Sequence, residues 1–148
     1  MTGKMLRILL AVTLGAMLLA ACSSNGEESE GSGGGGTAKC EGDALGSEEL
    51  ALPADFPIPG EAYLTSTSEA GPSQVFDGYW EGDLESAYSE WKAALEGASY
   101  TILFDEIEEN DSEISYKSPD EASTGQIALR NECEEEGRTL IHITNRPA

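Results

Sequence analysis

From Ile8 to Leu19 the chain carries no charge, and the run ends on Ala20, Ala21 and Cys22. Lys4 and Arg7 precede it. A basic start, a short apolar core and a small-residue exit form the layout of a secretion signal. As a helix the core rises only about 18 Å, well short of the roughly 30 Å hydrocarbon thickness of a bilayer. The sequence therefore favours a cleaved leader over a permanent transmembrane helix. This stretch limits everything downstream. It predicts that the leader is absent from the fold and that the remainder works on the oxidising side of a membrane.

Leu19-Ala20-Ala21-Cys22 resembles the bacterial lipobox, an aliphatic residue and two small residues before a cysteine. The resemblance covers the first 22 residues. It implies that Cys22 receives a diacylglyceryl thioether, that the leader is cut before it, and that the new amino terminus can be acylated as well. Two or more acyl chains give stable anchoring where one is marginal. The implied localisation is a bacterial cell envelope, with the protein lipid-anchored on the extracytoplasmic face of a membrane. Ordinary cleavage after Ala-x-Ala-like residues, releasing a free secreted protein, is the alternative, and it leaves Cys22 unexplained.

Residues 22–39 are the lipidated cysteine and a flexible Gly/Ser/Glu linker, and Ser23 to Lys39 has no apolar side chain larger than that of Ala38. Such a composition buries too little surface to order itself. As a coil its span is roughly 20–25 Å, enough to hold a domain off a bilayer. Gly33–Gly36 is no phosphate loop, because no strand, Lys-Ser/Thr pair or helix accompanies it. A single domain over residues 40–148 follows, small enough that a covalent staple would help it. Cys40 and Cys133 are expected to pair there. Closing so long a loop stabilises a fold by roughly 4–5 kcal/mol on the chain-entropy account.

The full chain carries a net charge of −20, and all 28 acidic residues lie after Cys22. That balance argues against nucleic-acid binding and against adhesion to anionic lipid through a basic surface. It suits a solvated acidic surface, with a cationic partner or a salty medium as alternatives.

Within the domain, Ser47 can cap a short helix through SEEL. Pro53, Pro57 and Pro59 then impose an extended arm, with Phe56 and Ile58 placed to pin it to a core. Strands are expected over 62–68 and 74–80. A helix follows, capped by Asp83 and ended by Gly97. Its apolar stripe is Leu84, Ala87, Tyr88, Trp91, Ala94, Leu95 and Ala98. Further strands are expected over 99–107, 113–118, 126–133 and 138–144, joined by short turns. In the first of these, Tyr100, Ile102 and Phe104 share one face. The fold class is α+β: an antiparallel sheet of five or six strands with one amphipathic helix packed on one face. The arrangement is similar to small extracytoplasmic lipoprotein domains without an assigned activity.

No catalytic residue is assigned. The only histidine, His142, alternates with Ile141 and Ile143 and so points away from the helix, and no Gly-x-Ser-x-Gly elbow occurs. No cofactor is implied. No metal is assigned either: Asp105, Glu106, Glu108, Glu109, Asp111 and Glu113 suit calcium in ligand type, but alternate strand residues diverge and the spacing is not an EF-hand. Glu132 and Glu134–Glu136 share that weakness. The candidate binding surface is the sheet face opposite the helix. With Phe76, Ile102, Ile114, Leu129 and Ile141 turned inward, Tyr79, Leu103, Lys117, Arg130, Leu140 and His142 turn outward. The expected function is a non-enzymatic interaction module, tethered to the membrane through the Cys22 lipid, with a protein or small-molecule partner and no nucleic acid. A lipoprotein binding a small molecule, cation or glycan is the alternative, and a small hydrolase a weaker one.

Overall fold

Two-residue alternation dominates the chain after residue 60, and it folds as a sheet. The computed structural model describes residues 40–50 and 52–148. The signal segment, Cys22 and the linker to Lys39 lie outside the described residues. Strands β1 (Ala62–Ala70) and β2 (Ser73–Glu81) form a hairpin, helix α1 (Leu84–Gly97) follows, and then come β3 (Thr101–Ile107), β4 (Asp111–Lys117), β5 (Ser123–Arg130) and β6 (Arg138–Pro147). A 3-10 turn, Asn131–Glu136, joins β5 to β6. The six strands make one antiparallel sheet in the order β1-β2-β6-β5-β4-β3. The last strand thus closes the sheet at its centre, between the early hairpin and the later meander. Among the described residues, no helix is long and apolar enough to cross a membrane.

α1 begins where the sequence says it should. Asp83 is extended and its carboxylate accepts from the Ser86 amide at 2.8 Å, satisfying one orphan N–H of the first turn. Leu84, Ala87, Trp91 and Leu95 are buried against the sheet. Facing them are Phe76, Trp80, Ile114, Tyr116, Ile127, Leu129, Ile141 and Ile143. Phe56 reaches this core from the proline arm, with ring centroids 5.5 Å from Tyr116 and 5.8 Å from Tyr100. Ile58 does not share the pinning role: it is exposed. The segment at Ser47 makes a single turn, with Glu49 and Leu50 amides donating to Gly46, rather than a helix.

The Cys40–Cys133 disulfide is present, and both residues are fully buried. Cys133 sits in the 3-10 turn, one turn beyond the end of β5, and not on the strand as the alternation suggested. With Leu140 the bridge makes a second, small core on the face opposite α1. The entry segment Cys40–Leu45 is held over that face. The Arg138 guanidinium donates to the Cys40 carbonyl at 2.8 Å and stacks 4.1 Å over the Tyr79 ring, whose hydroxyl donates to the Gly42 carbonyl.

Candidate functional site

The sheet face away from α1 is built from alternate residues of all six strands, and cross-strand register sets its rows. One row runs Glu113, Ala128, His142, Asp77, Ser66. In it His142 Nδ1 lies 2.7 Å from Asp77 Oδ1, with the histidine side chain 42% and the aspartate 21% exposed. The pair joins imidazole to carboxylate across the β6–β2 ladder. The order along the row places the carboxylate, not the imidazole, beside the Ser66 hydroxyl. Base-assisted attack by serine needs the opposite order, with imidazole between hydroxyl and acid. Gln126 donates to Glu113 at 2.8 Å on the same face.

The outward residues anticipated from the sequence are not gathered into one patch. Arg130, Leu140 and Tyr79 do share a row. Tyr79 and Leu140 nevertheless lie buried under the entry segment, because Tyr79 stacks on Tyr63 and is capped by Arg138 and Gly42. Arg130 is exposed, 4.0 Å from Glu132. His142 sits one row on, in the centre. Lys117 belongs to the far end, opposite Thr124, and pairs with Glu121 at 2.8 Å. From Arg130 to Thr124 along β5 is about 20 Å at strand rise. Leu103 lies on the outermost strand.

β3 departs from its expected pattern. A bulge between Ile102 and Phe104 inserts Leu103 into the register, so Phe104 pairs with Ser115 on the open face rather than following Tyr100 and Ile102 inward. Leu103, Phe104 and Ile107 are 56%, 51% and 44% exposed. Phe104 and Ile107 are the surface residues that alternation alone missed.

The acidic hairpin splits between faces. Asp105 lies on the helix side, where Lys92 donates to it at 2.6 Å and the Tyr88 hydroxyl donates to the same oxygen. Hydrogen bonding from Lys92, then from Tyr88, holds the Asp105 carboxyl below its ordinary range. Glu106 lies on the open face, directly across from Glu113. Among the described residues, no group of three or more His, Cys, Asp or Glu side chains is arranged to hold a metal ion.

Several clefts flank the core among the described residues. One of about 460 Å³ opens at the start of α1, between Asp83, Glu85, Ile107, Glu108, Glu109 and Arg138. Asp83 is committed there to capping the helix, and Arg138 to Glu81 and Cys40. Another, of about 330 Å³, lies between the proline arm, the β4–β5 turn and the end of β6. Its lining includes Tyr100 and Ser123, whose hydroxyls are buried without a partner. Both oxygens are closed off from solvent, so they present nothing to a visiting ligand. Asp120, on the rim, already accepts from Ser118 and Ala122. No protein-family model matches the sequence. A search of curated proteins likewise finds no match.

Proposed function

We propose that this chain is a lipid-anchored protein of the extracytoplasmic side of a bacterial membrane, and that its domain works by contact with a partner rather than by catalysis. The observation that carries the reading is the buried Cys40–Cys133 bridge. A structural disulfide in a small domain belongs to an oxidising compartment. That agrees with the leader and with Cys22 as the lipidated residue. The geometry of the open face supports the second half of the reading: its one imidazole is paired with a carboxylate on the wrong side for nucleophile activation, while its rim exposes apolar side chains.

Detergent phase partitioning tests the anchor. The native protein is expected in the detergent phase and the Cys22→Ala variant in the aqueous phase. Native protein recovered as a water-soluble species that still begins at Met1 would refute it. For the domain, a thermal-shift screen separates partner binding from small-ligand binding, since a ligand held with real affinity raises the melting temperature by mass action.

A further inference from the structure

A sheet of six strands has two edges, and this one treats them differently. Unpaired edge amides and carbonyls invite a further strand, and folded proteins blunt or cover them. At β1 the entry segment covers the edge: the Leu45 amide donates to the Leu64 carbonyl at 2.8 Å, and Gly42 packs against Thr65. Beyond that point β1 exposes Ser, Thr and Glu side chains. At β3 the bulge at Leu103 interrupts the edge, but beyond it, among the described residues, no loop donates or accepts a backbone hydrogen bond along Phe104–Ile107. Leu103, Phe104 and Ile107 are exposed there, and among the described residues only Ile58 joins them as an exposed large hydrophobic.

Charge identifies what this edge fits. Glu106 and Glu113 stand directly opposite one another on the open face, and among the described residues neither has an ion-pair partner. Like charges in cross-strand register are destabilising. β3 itself contains no basic residue, and the chain as a whole carries −20. A second copy would bring the same acidic edge against itself.

We propose that β3 accepts, as a seventh strand, an extended segment of another protein that alternates basic with apolar residues. Its basic side chains lie on the open face, over the Phe104 ring and beside Glu106; its apolar ones lie on the helix side, beside Ile107. Main-chain pairing supplies affinity and the alternation supplies specificity. The inference rests on the domain acting by contact, but it is independent of the lipid.

The test uses the full chain in neutral detergent and an acetylated nonapeptide alternating lysine with valine. Saturable binding is expected, with amide exchange slowed at least tenfold at Asp105 and Ile107, whose N–H groups face away from β4. Glu106→Lys is expected to weaken binding at least tenfold while leaving the fold intact, because it relieves the clash with Glu113. A valine/glutamate peptide, or one N-methylated at alternate amides, is expected not to bind. Protection at β1 or α1 instead, unchanged affinity in Glu106→Lys, or full binding by the N-methylated peptide would overturn the proposal. So would a concentration-dependent dimer that protects β3 without peptide. Cys22→Ala protein is expected to bind the peptide equally, so failure of the anchor and failure of the docking edge are read separately.

Discussion

Opening the Cys40–Cys133 bridge is the most informative perturbation of this fold. The crosslink joins residues 93 apart in sequence. On the chain-entropy account, a loop of that length removes about 16 cal/mol/K from the unfolded ensemble, or about 4.6 kcal/mol at 25 °C. A domain of this size unfolds with an entropy of roughly 230 cal/mol/K near its midpoint, so reduction lowers the melting temperature by about 20 °C. The assay is a pair of calorimetric melts of the same protein, oxidised and in excess thiol reductant. Urea titration of both forms adds a second readout: freeing the unfolded chain exposes more surface, so the slope with denaturant rises on reduction. The Cys40→Ala/Cys133→Ala double variant loses the same entropy and, in addition, leaves a void beside Leu140, so it melts lower still. If the reduced protein melts within about 5 °C of the oxidised one, loop closure is not what the bridge contributes and the small second core must hold the entry segment unaided.

Two further perturbations test the sheet and its contact with the helix. A Cβ at Gly78 would lie 2.0 Å from the Tyr63 carbonyl oxygen, a backbone atom that cannot step aside. Gly78→Ala is therefore expected to cost about 3 kcal/mol in urea denaturation and to release β1 amides to exchange, while Gly60→Ala, where nothing lies within 4 Å, stays near neutral; equal behaviour of the two would refute the close approach. Asp105 has its carboxyl held low by Lys92 and Tyr88, so its contribution is complete above the ordinary carboxylate range and is lost as pH falls through the depressed folded value. Asp105→Asn should flatten the acid limb of the stability–pH curve and leave its slope near neutrality unchanged; an unaltered acid limb would show that the cluster contributes nothing.

Local signals were legible where the local sequence decides the conformation. Asp83 and the stripe through Leu84, Ala87, Trp91 and Leu95 announced α1, because a cap and a 3.6-residue period need no distant partner. Alternation likewise fixed which face Phe76, Ile114, Leu129 and Ile141 take. It failed at Phe104, since a bulge depends on how β3 meets β4 and leaves no composition mark in TILFDEI. It placed Tyr79 on the correct face, yet that residue is covered by Gly42, which is 37 positions earlier in the chain. Gly42 adopts a positive φ of 126°, and nothing local distinguishes it from the glycines around it. The insertion of β6 between β2 and β5 was equally hidden, because strand order is settled by long-range packing and not by the turns.

The bridge also decides how the domain bears tension. A pull on the chain ahead of Cys40 passes through sulfur into the turn between β5 and β6, two interior strands of the sheet. The proline arm and β1 follow Cys40 in the chain but lie off that route, and stay slack. Force applied between the leading segment and the end of the chain would therefore enter the sheet at its interior, and only reduction of the bond would redirect it through the arm and β1.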